Sequence, residues 1–259
     1  MSAYASHELR AVARPEGVET HVDSAASNQL IAIVAHELRG PLVPIRNIAA
    51  LLKRGSLDAL AQRRAAELLE RQVGGMIRLL EDLVDVSQLR SGNLEIQLAP
   101  VLLGELIERC VEIVGSYVSE RGHRLIVDVM PGRVSLLADS MRICQALQNL
   151  ITNAAKYSNR GGEVRIRAHR EGDFAVIVVS DQGIGLSVEQ LKTLFDMFAQ
   201  VGQAGSRRSE GGLGIGLFLT RNLVEAHGGS VAATSAGPGL GSEFTVRLPC
   251  VDFAPGDTA

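Results

Sequence analysis

The sequence lacks several features that would assign a protein to a particular class. No apolar run approaches the roughly 18 residues of a membrane helix, and the first residues show no signal-peptide pattern, so we expect no membrane span. The chain also lacks an excess of basic charge, with 26 basic against 29 acidic residues, which argues against a nucleic-acid partner.

Cysteines are few, and their number and spacing exclude two further classes. The three cysteines, Cys110, Cys144 and Cys250, are far apart and odd in number. Neither a disulfide framework nor a metal-ligand spacing is visible, which fits the reducing conditions of the cytoplasm. We therefore expect small buried side chains at these positions and a cytoplasmic protein.

What the sequence does contain begins with two apolar stripes at helical spacing. With 259 residues and 46% hydrophobic content, the chain is large enough for one large or two modest domains. From about Ser27 to Arg54, and again from about Leu60 to Leu89, apolar residues recur every three or four positions, which predicts two long amphipathic helices. A turn at Gly55-Ser56 would join them into an antiparallel hairpin. A single hairpin leaves both apolar stripes exposed to solvent, so we expect two copies to form a four-helix bundle.

Beyond residue 97 the pattern changes to short β-rich runs that alternate with helical patterns, and this predicts a two-layer α/β sandwich. The fold class is therefore α+β with two domains. We expect a flexible lead-in over residues 1–27, the helical hairpin over 28–97, the sandwich over 98–250 and a tail over 251–259. The predicted helices are Leu102–Glu120, Met141–Tyr157, Val188–Phe198 and Gly216–His227. The predicted strands are Leu125–Met130, Val134–Ala138, Glu163–His169, Ala175–Asp181, Ser230–Ser235 and Glu243–Leu248.

An exposed histidine is predicted on the first long helix. At about 100° per residue, His36 lies nearly opposite the apolar stripe and points toward solvent. Glu37 follows at once and can take the imidazole proton, which leaves the other ring nitrogen nucleophilic. Gly40 and Pro41 follow, and both residue types are unfavourable in a helix interior, which predicts a bend. A near-copy around His7 lacks the proline and the stripe, and we treat it as a coincidence.

A second group of polar residues shares one face of the helix over 141–157. Asn149 and Asn153 lie on this face together with Gln145, at positions i, i+4 and i+8. Amide oxygens can hold a hydrated Mg²⁺, and Lys156 can supply a positive charge for phosphates. An ordinary polar face of an amphipathic helix is an equally simple interpretation of this spacing.

Two glycine-rich segments flank a polar loop. Asp181 ends an apolar strand, where its carboxylate can accept from the exocyclic amine of adenine, and Gly183 and Gly185 let the backbone approach a ring. Gly212–Gly216 precedes a helix, whose free N–H groups can face phosphate. This segment is neither a Rossmann fingerprint nor a Walker A loop. The loop 200–210 between them is predicted to be a lid, with an ordinary surface loop as the alternative.

Together and in this order, the motifs resemble those of the histidine kinase family, from residue 28 to residue 250. His36–Arg39 with Pro41 resembles the H box, and 149–157 resembles the N box. Residues 181–185 are similar to the G1 box, Phe195 and Phe198 to the F box, 212–216 to the G2 box and 241–244 to the closing glycine-rich segment.

The resemblance implies a dimeric hairpin with a Bergerat-type ATP-binding domain, and ATP and Mg²⁺ as cofactors. It implies that His36 is the phosphoacceptor, that Glu37 is its proton partner and that the phosphoryl group passes to an aspartate of a response-regulator receiver domain. Asn153, aided by Asn149, would hold Mg²⁺. The implied ATP-binding residues are Asn149, Asn153, Lys156, Tyr157, Asp181, Gly183, Gly185, Phe198, Gly212, Gly214, Gly216 and Leu217.

One position departs from the family pattern. Four residues after the histidine the family usually has Thr or Asn, which orients water for removing phosphate from the regulator, whereas this chain has Gly40. We expect weak phosphatase activity. No segment resembles a sensor, so we expect either a separate sensor protein or a longer chain.

Two other classes of function are compatible with parts of the sequence. A docking scaffold could keep this fold without turnover, but it would have no need for the intact His36, Asn153 and Asp181. An anti-sigma type serine kinase or a chaperone ATPase could share the ATP-binding motifs, but it would not use a hairpin that carries His36.

Overall fold

The computed structural model describes residues 19–55, 58–199 and 213–251, with side chains of the first helix described from Val34 onward except at His36. The chain divides into two units, Met1–Gln72 and Val73–Ala259. Among the described residues no helix is both long and apolar enough to cross a membrane.

Two long helices begin the chain, as the apolar stripes predicted. Helix α1 spans Glu19–Lys53 and α2 spans Ala59–Arg90, with a short connection between them. The domain boundaries stay predictions, although helix α1 starts at Glu19 and includes residues 19–27 of the predicted lead-in. These residues carry no apolar stripe, but extending an established helix costs little. The helix continues through Pro41 and Pro44, and the bend stays a prediction.

The rest of the chain forms strands and shorter helices close to the predicted bounds. The elements are β1 Ala99–Leu102, α3 Leu103–Glu120, β2 Arg124–Val129, β3 Ser135–Ala138, α4 Ser140–Tyr157, β4 Glu163–Glu171, β5 Phe174–Asp181, α5 Val188–Thr193, α6 Gly216–Ala226, β6 Ser230–Thr234 and β7 Ser242–Pro249.

Five strands form one sheet in the order β2-β4-β5-β7-β6, in which only β2 and β4 run parallel. Alternate residues of the strands, such as Ile166, Ile177 and Val246, point into a core shared with α3, α4 and α6. The strands thus follow the period of two expected for a sheet with one covered face. The predicted two-layer α/β sandwich is confirmed.

One strand was not predicted, and one helix prediction was wrong at its end. Strand β1 pairs antiparallel with β3 despite Pro100, since proline is tolerated in a short edge strand. Helix α5 ends at Thr193 instead of Phe198, because Leu194 turns into the core and Phe198 adopts a left-handed backbone with φ of 69°.

Cys110 and Cys144 are buried and Cys250 is half-buried, and none forms a disulfide. The prediction of small buried side chains is therefore confirmed for the first two residues.

Candidate nucleotide-binding site and phosphoacceptor

Helix α4 is the central element of the candidate site. Its amphipathic pattern buries eight residues, including Ile143, Leu147 and Leu150, against the sheet and neighbouring helices. Asp139 caps its first turn, since the carboxylate accepts from the backbone N–H groups of Met141 and Arg142. The buried apolar face and the N-terminal cap therefore fix the position of this helix, and with it the position of its polar face.

His227 fixes α4 to the end of α6. The backbone N–H of Asp139 donates to Nε2 of His227 at 3.0 Å, and Nδ1 of the buried ring donates to the carbonyl of Leu223 at 2.7 Å. Because Nε2 faces a donor and Nδ1 faces an acceptor, this geometry requires the Nδ1–H tautomer. Farther along the two helices, Nδ2 of Asn149 donates to the carbonyl of Gly216 at 3.4 Å.

Asp181, at the end of β5, lies beside the last turn of α4. Its Oδ1 accepts from the backbone N–H of Gly183 at 2.7 Å, and its Oδ2 accepts from the hydroxyl of Ser242 on β7. Burial raises the pKa of this carboxyl group, and the hydrogen bonds from Ser242 and Gly183 oppose that rise. A carboxylate has about four lone-pair sites, so Asp181 retains capacity to accept from a ligand.

Main-chain atoms pack closely around this carboxylate, and this requires glycine at three positions. A Cβ at Gly183 would lie 2.4 Å from the carbonyl oxygen of Tyr157. A Cβ at Gly185 would lie 2.1 Å from the carbonyl oxygen of Gly237, and one at Gly241 would lie 2.1 Å from that of Asp181. Any side chain at these positions would displace backbone.

A cleft opens beside these residues, with about 400 Å³ of empty space that includes its open, solvent-filled side. Its wall is mostly apolar, with Asp181, Asn153 and Ser242 as polar groups. The lining residues are Asn153, Ala154, Tyr157, Asp181, Ile184, Gly185, Leu186, Leu194, Leu217, Ser242 and Phe244.

Five of the predicted ATP-binding residues line this cleft: Asn153, Tyr157, Asp181, Gly185 and Leu217. The sequence prediction did not include Ala154, Ile184, Leu186, Leu194, Ser242 or Phe244. Ala154, Ile184, Ser242 and Phe244 had a signal, because they lie within the segments that resemble the N box, the G1 box and the closing glycine-rich segment. Leu186 and Leu194 had none, since apolar residues beside a motif are as often part of the core.

Other predicted residues lie outside the lining. Gly183 orients Asp181 through its N–H, and Lys156 places its ammonium 5.0 Å from the ring centroid of Tyr157. The backbone N–H of Phe198 donates to the carbonyl of Gly214 at 3.0 Å. Direct nucleotide contacts by these residues stay predictions. Gly212 and the predicted lid over 200–210 lie outside the described residues.

The start of α6 has the features of an anion site. Gly216 is its first residue, and the N-cap residue Ile215 has no side-chain acceptor for the N–H groups of the first turn. Helices α4 and α5 are capped by Asp139 and Ser187, whereas α3, like α6, has no side-chain cap. The N–H groups and the dipole at the start of α6 favour a negatively charged ligand such as phosphate.

Gln145, which the spacing placed on the metal-binding face, has a different partner. Its Nε2 donates to Oδ2 of Asp85 at 2.6 Å. In the described part of the chain no group of three or more His, Cys, Asp or Glu side chains could hold a metal. The predicted Mg²⁺ ligands Asn149 and Asn153 stay predictions.

The predicted phosphoacceptor lies on helix α1. His36 and Glu37 are both within the helical span, but the side chain of His36 is outside the described part of the structure. Its exposure and the role of Glu37 stay predictions.

The described fold is a helical region followed by a two-layer α/β sandwich with a cleft, and comparison with known proteins identifies its family. Residues 138–252 match the family described as histidine kinase-, DNA gyrase B- and HSP90-like ATPases. Residues 26–92 match the His Kinase A (phospho-acceptor) domain. The chain belongs to the histidine kinase family.

Individual relatives agree with this assignment. An uncharacterized sensor-like histidine kinase of Rhizobium meliloti is 34% identical over 94% of this chain and 47% of its own length. The circadian input-output histidine kinase CikA of Synechococcus elongatus is 34% identical over 87% of this chain and 30% of its own. The chain thus spans less than half of either protein. The crystal structure of full-length ShkA in complex with AMPPNP superposes with a TM-score of 0.63 and 27% identity, over 88% of this chain and 46% of that one.

Proposed function

We propose that this chain is an ATP-dependent protein histidine kinase that phosphorylates itself on His36. The observation that carries the proposal is the cleft in which Asn153 and Asp181 converge beside the uncapped start of α6. The phosphoacceptor-domain match around His36 supplies the acceptor. The solved complex of ShkA with AMPPNP supports a nucleotide as the ligand.

In the proposed reaction, Asp181 accepts from the adenine amine and the N–H groups of α6 bind phosphate oxygens. An imidazole nitrogen of His36 attacks the γ-phosphorus, the bond from that phosphorus to the β,γ-bridging oxygen breaks, and ADP leaves. The imidazole proton passes to Glu37. Asn153 and Asn149 would hold Mg²⁺, which supplies neutralising charge to the phosphates. Positioning and charge neutralisation are the main requirements of phosphoryl transfer.

Three further parts of the proposal concern partners and location. The chain acts as a homodimer through α1 and α2, and the phosphoryl group passes to an aspartate of a response-regulator receiver domain. The signal comes from a separate sensor protein or from further segments of a longer chain. We also propose the boundaries 28–97 and 98–250 for the two functional domains, and a cytoplasmic location.

The test is to incubate the protein with γ-labelled ATP and Mg²⁺. We expect bound label that is labile to acid and stable to alkali, as a phosphorus–nitrogen bond is. His36→Gln should abolish the label while ATP binding, measured by calorimetry, changes by less than a few fold. His7→Gln is the matched control and should label normally. Undiminished label on His36→Gln would contradict the assignment.

A further inference from the structure

The last turns of α2 carry a buried carboxylate. Helix α2 is continuous over Ala59–Arg90, and its residues from Val73 onward belong to the same unit as the α/β layers. Of its described residues only Asp85 and Val86 are buried, and Asp85 is 5% exposed. Burial of a carboxylate is costly unless it is paired and hydrogen-bonded, so the partners of Asp85 are informative.

Those partners both come from α4, and the three side chains close a ring. Nη1 of Arg142 donates to Oδ1 of Asp85 at 2.7 Å, and Nε2 of Gln145 donates to Oδ2 of the same carboxylate at 2.6 Å. Nη1 of Arg142 also donates to Oε1 of Gln145 at 3.1 Å. This Asp85–Arg142–Gln145 ring occupies both oxygens of the carboxylate with charge-assisted hydrogen bonds.

The ring lies on the helix that carries the predicted metal-binding amides. Gln145 precedes Asn149 by one helical turn and Asn153 by two. Helix α4 has its own anchors, namely its buried apolar face, the Asp139 cap and the hydrogen bond to His227. It therefore does not need Asp85 to stay in place. The element that the ring fixes is the end of α2.

A second carboxylate, Asp82, lies one turn before Asp85 on the same helix and is partly buried. Burial, together with repulsion from Asp85 and Glu81, raises the pKa of Asp82 to about 6. Arg78 and Gln145 oppose this rise only in part. The guanidinium of Arg142 already forms an ion pair with Asp85.

We propose that Asp85 is a positioning residue for autophosphorylation: through Arg142 and Gln145 it fixes the end of α2 on the helix that carries Asn149 and Asn153. The inference rests on the proposed kinase function. The phosphoacceptor helix α1 leads directly into α2, so the ring joins the segment that follows the acceptor to the nucleotide-binding helix. Its loss should slow phosphoryl transfer without changing the affinity for ATP.

The test compares Asp85→Asn with the wild type in the full chain. At saturating ATP the first-order rate of autophosphorylation should fall at least fivefold, while the ATP concentration for half-maximal rate and the dissociation constant from calorimetry change less than twofold. Asp128→Asn is the matched control, because Asp128 pairs with Arg165 on the exposed face of the sheet. It should keep the wild-type rate.

Two further measurements separate positioning from loss of the fold. Hydrogen exchange should speed up in the last turns of α2 but not in α4. In a double-mutant cycle, Asp85→Ala with Arg142→Ala should be no slower than the slower single variant, because the two residues act as a unit. Asp85→Glu, which can remake the ion pair, should recover part of the rate.

The outcomes are distinguishable. A folded Asp85→Asn variant with the wild-type rate overturns the positioning role, and so does a variant in which only ATP affinity falls. If the wild type itself shows no acid-labile label, the kinase function fails, whereas faster exchange at the end of α2 in the variant would still support the ring.

Discussion

The two long helices and the α/β layers differ in how they bury their apolar residues. On α2, Ile77, Leu80 and Val84 are each about half exposed (50%, 48% and 54%), whereas Leu150 on α4 and Ile177 on β5 are fully buried. Only two described residues of α2 are buried, and one of these is a carboxylate; α4 is shorter and buries eight. The layers thus complete their core within one chain.

The long helices present an apolar stripe that another surface must cover. Exposed apolar patches of this kind mark sites of association, and paired helical hairpins bury such stripes in four-helix bundles. The comparison teaches that the layers bury their apolar residues within one chain, whereas the proposed dimer would make the stability of the long helices depend on concentration. The predictions below test that contrast, from the largest expected effect to the smallest.

The largest effect should come from charging the exposed stripe. Ile77→Glu combined with Leu80→Glu should convert a dimer into monomers at micromolar concentration, because burying two carboxylates in an apolar interface is costly. Light scattering measures the mass. Arg71→Glu, a charge change at an exposed position about 120° around the same helix from Ile77, should leave the dimer intact. A wild-type monomer would contradict the bundle.

A smaller effect is expected inside the layers, at a single side chain. Asp181→Asn should weaken ATP binding about ten- to a hundredfold, the value of one charge-assisted hydrogen bond at about 1.5–3 kcal/mol. The amide can present a donor where the adenine amine requires an acceptor. Calorimetry measures the dissociation constant, with Asp173→Asn, in the exposed turn before β5, as the control. An unchanged constant would mean that adenine is recognised elsewhere.

The pH dependence of stability should reflect Asp82, whose pKa is raised to about 6 from an ordinary value of 3.8. Between these two values the folded state holds a proton that the unfolded state has lost, so its contribution to stability falls as pH rises through this window. Asp82→Asn should therefore raise the free energy of unfolding at pH 7.5 by about 1–3 kcal/mol, and the gain should vanish near pH 4. Denaturant titrations at both pH values measure it. An equal gain at pH 4 would show that ionisation is not the cause.

The smallest structural effect is expected at Gly40. A Cβ there has no atom within 4 Å, so Gly40→Thr should be accommodated and should change stability by only a few tenths of a kcal/mol. Its hydroxyl could hold the water that attacks a phosphorylated aspartate. We expect weak phosphatase activity in the wild type and a gain in the variant.

The measurement is the decay of a phosphorylated receiver domain mixed with each protein and ADP. Rapid dephosphorylation by the wild type, through a route that survives His36→Gln, would show that another residue positions the water.

The sequence predicts residues whose role is local and misses those whose role depends on distant partners. Asn153 and Asp181 could be found because a helical face and a strand end are short-range features. Gln145 was placed on the metal-binding face by the same spacing, but its partner Asp85 is 60 residues away. No periodicity reveals that a carboxylate on α2 is buried, because burial is decided by packing.

The same limit on prediction from sequence applies to the apolar residues of the cleft. Leu186 and Leu194 belong to two different connections, and only the folded chain brings them to one wall. The β-rich runs were predictable because apolar residues alternate with polar ones along them, and the apolar ones lie on the covered face of the sheet. Strand β1 was missed because four residues including Pro100 are too short to show alternation.

The glycine cradle around Asp181 has a consequence for drug resistance. Gly185 lines the cleft, and side chains at Gly183, Gly185 and Gly241 would collide with carbonyl oxygens. An inhibitor that contacts the backbone at Gly185 leaves the chain little room to escape by substitution there. We expect resistant variants to arise instead at partly exposed wall residues such as Ile184 and Leu217, which a saturation library grown against such a compound would reveal.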